Sequence, residues 1–244
     1  MGITDAQIVT ILDRTAAIAD PILDVLAHTD PFDLKPRTFG RSWWELIPTS
    51  LGDLTATAMN VADWPGTGGW EKLSMNERAD WWVNRIGALN TVAVAFPGVL
   101  GPWAKTLPVG AFLGAASQAL MVMAVGREYG VVDRDDQIAM LGAVIFGREL
   151  SGTDARHAER RSFPESGTEL AKAVVKALWD IGTGLRNVEK ALGARPKSPS
   201  LIGHLTWLPL VGAPATYLGE RIALCRAVEA SRRWIIDHRE AIEV

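Results

Sequence analysis

Between Arg85 and Arg127 lie forty-one residues, Ile86–Gly126, that carry a single charge, Lys105. A segment this apolar cannot turn a face to water, so it has to be enclosed by protein or by lipid. It also holds too much glycine and proline to form one plain helix. It divides at Pro97-Gly98-Val99-Leu100-Gly101-Pro102. Proline lacks the backbone N–H and disfavours helix in the residue before it, so this segment is a break or a tight turn. The first arm, Ile86–Phe96, continues a helix that starts earlier. The second arm, Leu107–Gly126, is twenty residues without a charge. That just reaches the length of about twenty residues with which a helix spans a bilayer. The pair reads as a membrane hairpin, a re-entrant wedge or a wholly buried core hairpin. Continuous apolarity alone does not separate these readings. Gly110-x-x-x-Gly114 is a spacing of small residues that lets two helices approach closely, in lipid or in a soluble bundle.

The rest of the chain reads as amphipathic helix. Thr4-Asp5-Ala6-Gln7 is a capping box, followed by Ile8, Ile11, Leu12, Ile18, Ile22, Val25 and Leu26 on one helical face. Asp20-Pro21 predicts a kink there or two short helices. His28–Gly40 reads as loop, Ser42-Trp43-Trp44-Glu45 as a second box and Leu51–Val61 as a weak helix. After a loop at Asp63–Gly69, Ser74-Met75-Asn76-Glu77 is a third box, whose helix runs through Trp81 and Trp82 into the central stretch. Gly130 is placed for a left-handed C-cap. Asp133 caps a helix that closes near Gly152, and the charged Thr153–Ser166 reads as a solvated connection. Ser166-Gly167-Thr168-Glu169 opens a helix that stops at Gly193. A second apolar run, Ser198–Gly219, has twenty-two uncharged residues and is broken by Pro209, Gly212 and Pro214. The last helix runs from about Ala215 to Glu243. No alternating pattern of strand length appears. The expected fold is all-α, a multi-helix bundle around an apolar hairpin broken by glycine and proline. It forms a single domain over 1–244, with a Trp-rich part at 1–85 and a helical core at 86–244.

Composition excludes some functions. The net charge is −3, whereas a nucleic-acid reader is normally basic, so no nucleic-acid partner is expected. The one cysteine, Cys225, allows neither an internal disulfide nor a cysteine-based zinc cluster. The N-terminus has no basic start followed by an apolar run, so no secretory signal is expected. The expected location is intracellular, in the cytoplasm or at the cytoplasmic membrane. Of ten tryptophans, seven fall between Trp43 and Trp103, beside the apolar stretch. Indole fills cores, but it also favours membrane–water interfaces, where its ring is apolar and its N–H finds a partner.

Candidate chemistry is thin. Asp133-Arg134-Asp135-Asp136 matches D-x-D-D, a pattern that protonates carbon in some terpene cyclases, yet acids at a helix start also offset the helix dipole. Asp154 and His157 could share a helix face, but Glu159 would not join them, and there is no HExxH. The glycine-rich Gly66-Thr67-Gly68-Gly69 and Gly182-Thr183-Gly184 follow no strand, so phosphate cradling is weak. No GxSxG elbow occurs. No catalytic residue, metal ligand or cofactor is assigned.

Two pieces together resemble a known family. One is Leu107-Pro108, a Gly/Ala-rich apolar helix, then Arg127-Glu128-Tyr129-Gly130, acids at Asp133–Asp136 and another helix. The other is Leu208-Pro209-Leu210-Val211-Gly212, a break, then a basic helix from Arg221 to Arg239. This order resembles the EcsC family of bacterial helical proteins over roughly 105–150 and 200–239. The resemblance implies a membrane- or lipid-associated helical protein and transfers no catalytic residue. The expected function is thus non-catalytic lipid or membrane association through the apolar hairpin. Trp81, Trp82, Trp103, Phe112 and Trp207 are the contact candidates, and Gly110 and Gly114 pack the helices. The alternatives are a soluble scaffold or partner-binding domain with a buried apolar core, and a lipid-modifying enzyme acting through Asp133–Asp136 or Asp154–His157. The partners expected are lipid or a membrane surface, with a protein partner also open.

Overall fold

The computed structural model describes residues 2–28, 65, 67–86, 109–153, 155–165, 167–192 and 212–242. Among them are six α-helices and no strand, so the fold is an all-α bundle. The helices are α1 (Asp5–His28), α2 (Met75–Ile86), α3 (Val109–Glu128), α4 (Arg134–Phe146), α5 (Gly167–Leu192) and α6 (Gly212–Asp237). Single 3-10 turns stand at Trp70–Lys72 and Arg239–Ala241.

The caps form as their residues dictate. Thr4 N–H donates to Gln7 Oε1 at 2.9 Å and Gln7 N–H to Thr4 Oγ1 at 3.3 Å. Ser74 N–H donates to Glu77 Oε2 at 2.8 Å, and these bonds from Ser74 hold the Glu77 carboxyl below its usual range. Asp133 Oδ1 accepts from Asp135 N–H at 2.8 Å and Asp136 N–H at 3.4 Å, which starts α4. Gly130 has φ 85° and turns the chain out of α3, with Val131 N–H returning to Gly126 O at 2.9 Å. Gly147, at φ 62°, ends α4 in the same left-handed way. The helix therefore closes at Phe146, earlier than the expected end near Gly152.

Pro21 does not divide α1 into two short helices, one of the two outcomes the sequence offered, for α1 is continuous from Asp5 to His28. The reason lies 140 residues away. Proline leaves the carbonyl four residues before it, that of Ala17, without its helical donor. Arg161 N–H supplies that donor at 3.0 Å. The cost of proline inside a helix is thereby reduced by a bond from another part of the chain.

α3 forms the centre and packs against all five other helices. From Ala115 to Gly126 every residue except Gln118 is buried. A helix with neighbours on every side has no polar face to keep, so the apolarity of Ala115–Gly126 is spent inside the bundle. Among the described residues no helix is long and apolar enough to cross a membrane.

The helix directions follow from specific pairs. Arg127, at the end of α3, pairs with Asp24 near the end of α1. Arg232, late in α6, donates to the Asn76 carbonyl, and the Tyr129 hydroxyl just beyond α3 meets the Asn76 side chain. α1 and α6 lie alongside α3 and share its C-terminal end, so the three run parallel. α5 runs against α1, since Gly184 faces Ile11 and Arg161 joins Ala17 to Asp180. α2 starts at the Tyr129 end, where the Tyr129 hydroxyl donates to Asn76 Oδ1.

α6 begins at Gly212, ahead of the expected Ala215, and takes Pro214 into its first turn, where a missing N–H costs nothing. It closes at Asp237 rather than near Glu243. Several expectations fall outside the described residues: the hairpin's first arm beyond Ile86 with its proline–glycine break, the Ser42–Glu45 box, the Leu51–Val61 helix, Ser166 of the fourth box, and the run 198–211.

Candidate functional site

The charged connection Thr153–Ser166 was expected to be solvated, and most of its described residues are exposed. Together with Gly147–Gly152 it also forms a strap along α1, fastened at several points. Arg148 Nη1 meets Asp5 Oδ1 at 2.5 Å. His157 and Ala158 meet Asp13. Arg161 reaches Ala17 and also Asp180 on α5, the latter at 2.8 Å. Arg160 pairs with Asp20 at 2.8 Å and with Asp24, and Arg127 of α3 pairs with the same two carboxylates. The charges that looked like a solvated face in the sequence find their partners at helix spacing along α1.

Asp13 is the centre of this strap. It sits on the inward face of α1 and is 1% exposed. A buried carboxylate needs donors on both oxygens, because desolvating a charge without them is costly. Oδ2 accepts from Ala158 N–H at 2.6 Å. Oδ1 faces His157 Nδ1 at 3.3 Å and Arg134 Nε at 3.9 Å. Arg134 Nη1 also donates to the Asp13 carbonyl at 3.4 Å. The other ring nitrogen, His157 Nε2, lies 3.5 Å from Asp135 Oδ1. The imidazole therefore stands between two carboxylates, with its side chain 48% exposed. Sequence reasoning had put Asp135 and His157 in separate groups and passed over Asp13. The signal that could have found Asp13 is an ionisable residue beside Leu12 on an otherwise apolar helical face. Asp154 lies outside the described residues.

The strap also crosses α4 closely. A Cβ on Gly152 would come within 2.5 Å of Asp135 Cα, and backbone cannot give way there. Gly152→Ala should therefore destabilise the fold by about 1–3 kcal/mol, as overpacking does. Thermal melting checks this, and an unchanged melting temperature would contradict the close approach.

One acid near the strap is strained electrostatically. Burial pushes the Asp136 carboxyl up, and the like charges of Asp133, Asp135 and Glu240 add to it against His238. An acid whose folded value exceeds its unfolded one costs stability once pH has risen through the folded value. Asp136→Asn should raise the melting temperature at pH 7, on the order of 1–2 °C for a partly exposed group. The gain should vanish toward pH 3, where the wild-type acid is already protonated in both states.

A second polar and aromatic junction fastens α2. Trp70, Trp81 and Trp82 meet edge to face, with centroids 5.2 Å apart for Trp70–Trp81, 6.0 Å for Trp70–Trp82 and 5.1 Å for Trp81–Trp82. Such crossed rings place a positive edge on a negative face. Trp82 Nε1–H donates to Glu128 Oε1 at 2.9 Å. Arg78 lies 5.6 Å over the Trp70 ring and donates through Nε to the Trp70 carbonyl at 3.2 Å. Arg232 of α6 meets Asp80 at 2.8 Å and the Asn76 carbonyl at 3.1 Å.

The contact candidates from the sequence thus stand apart. Trp81 and Trp82 are buried, at 8% and 3% exposure. Gly114 is half-buried on α3, and Gly110 and Phe112 belong to its first turns. Trp103 and Trp207 lie outside the described residues. The two junctions are chemically a set of clamps: their acids and bases are turned on one another. Among the described residues no group of His, Cys, Asp or Glu is arranged to hold a metal ion. Comparison of the chain with family models, with curated proteins and with solved structures found no match.

Proposed function

We propose that this is a non-catalytic helical protein of the EcsC-like type that associates with lipid or a membrane surface through its apolar hairpin, with the contact drawn from the apolar sequence outside α3. The observation that carries the reading is where the apolar sequence goes. From Ala115 to Gly126, α3 spends its apolar surface inside the bundle. Apolar sequence remains beyond it, 87–108 with Lys105 its single charge and 198–211 with none. Trp103 and Trp207 belong to these two stretches, and indole suits a membrane–water boundary. Gly130 in its left-handed turn, followed by the Asp133 cap, agrees with the Tyr-Gly turn and acidic helix start of the EcsC pattern.

The test is flotation with vesicles of phosphatidylcholine and phosphatidylglycerol. The chain should rise with the vesicles. Trp103→Glu combined with Trp207→Glu should cut the floated fraction by more than about tenfold, since each charge in a bilayer costs roughly 2.5–3.5 kcal/mol by insertion scales. Circular dichroism should show the helices intact. Equal flotation of the folded variant would sink the proposed contact. Alanine at Trp81 and Trp82 is the wrong probe, because loss of those buried rings would unfold α2.

A second reading, a partner-binding scaffold, is favoured by the enclosure of α3, which needs no lipid to complete its core. A monodisperse chain that stays at the bottom of the gradient would select it.

A further inference from the structure

His157 is flanked by acceptors on both sides, and a neutral imidazole cannot satisfy both. A neutral ring has one N–H and one lone pair, whereas the protonated ring has two N–H donors. Nδ1 faces Asp13 Oδ1 at 3.3 Å and Nε2 faces Asp135 Oδ1 at 3.5 Å. An ionised carboxylate only accepts. In the neutral state one carboxylate oxygen must therefore meet a lone pair. Asp135 Oδ1 has no other hydrogen-bond partner among the described residues, while Asp13 keeps the Ala158 N–H and the Arg134 guanidinium. The Asp135 side is the one that opens.

We propose that Asp13, His157 and Asp135 form a proton-gated clasp that closes the strap 147–165 onto α1 and α4 in acid and loosens it in base. Histidine is the side chain that ordinarily changes charge between pH 5 and 8. Against this ring, α1 presents Asp13 and α4 presents Asp135, with Arg134 of α4 on the Asp13 carboxylate. Arg134 is turned to Asp13, with its Nε 3.9 Å from Oδ1 and its Nη1 donating to the Asp13 carbonyl. His157 is partly exposed, so protons reach it without opening the fold. The strap also supplies the donor for the Ala17 carbonyl freed by Pro21. Loosening it therefore weakens α1 at its proline.

The experiment is hydrogen exchange of the full chain at pH 5.5 and pH 8, read on peptides covering 150–165. Each protection factor is divided by that of His157→Gln at the same pH, which cancels the chemistry of exchange itself. The expected ratio is several-fold larger at pH 5.5 than at pH 8. Asp135→Asn is the second variant. Its amide can donate to the Nε2 lone pair of the neutral ring, so its strap should stay closed at pH 8 and its pH response should disappear. A wild-type ratio that is equal at the two pH values overturns the proposal. So does an Asp135→Asn chain that keeps the wild-type pH response, and this arm remains decisive if His157→Gln does not fold.

Discussion

Trp82→Ala should destabilise the protein by about 3–5 kcal/mol, the cost of deleting a large buried aromatic side chain. The indole is 3% exposed, meets Trp70 and Trp81 edge to face, and donates to Glu128 at the end of α3. Its removal opens a cavity and leaves Glu128 without that donor. Trp82→Phe keeps most of the ring and loses the hydrogen bond, so it should cost much less, about 1–2 kcal/mol. Denaturant unfolding followed by circular dichroism measures both. A loss below about 1 kcal/mol for the alanine variant would show that α2 is not fixed through this ring. The rest of α2 is held by the Tyr129–Asn76 bond and the Arg232–Asp80 pair, so helix docking should fail in steps rather than at once.

The second large effect belongs to Asp13→Ala, with an expected loss of about 2–4 kcal/mol. It strands the Ala158 N–H in a part-buried position and frees His157 and Arg134 from their shared carboxylate. An unsatisfied buried donor costs about 1–3 kcal/mol, and breaking a buried pair by removing one member adds to this. His157 and Arg134 are partly exposed and can rehydrate, which keeps the total below that of a fully buried pair. The loss should be local first. Limited proteolysis should cut within 150–165 sooner in the variant than in wild type, while α3 stays protected. Equal cutting rates would mean that Asp13 does not hold the strap.

The sequence carried the local rules well and the long-range ones poorly. The Thr4–Gln7 and Ser74–Glu77 boxes, the Asp133 cap and the Gly130 turn stand where short spacings put them, because each is decided within about four residues. Pro21 misleads for the opposite reason. Its local effect is real, but Arg161 offsets it from across the fold. The strap is half legible for the same reason. Thr153–Ser166 is largely exposed as its charges suggest, but the match of Arg160 and Arg161 to Asp20, Asp24 and Asp180 that makes it an attachment spans the fold. The clasp joins residues 144 apart in sequence, Asp13 and His157, and no spacing rule connects them. The α3 arm was left between core and lipid by its apolarity, and its five neighbours account for that apolarity without lipid.

The most direct test of the functional account is hydrogen exchange along the whole chain with and without anionic vesicles. The account predicts that α3 amides from Ala115 to Gly126 exchange slowly in water alone and do not change when vesicles are added. It predicts that peptides from 87–108 and 198–211 gain protection with the vesicles. Protection of α3 that appears only with lipid would contradict its place as the core. No change in either apolar stretch would contradict lipid association and leave the partner-binding reading.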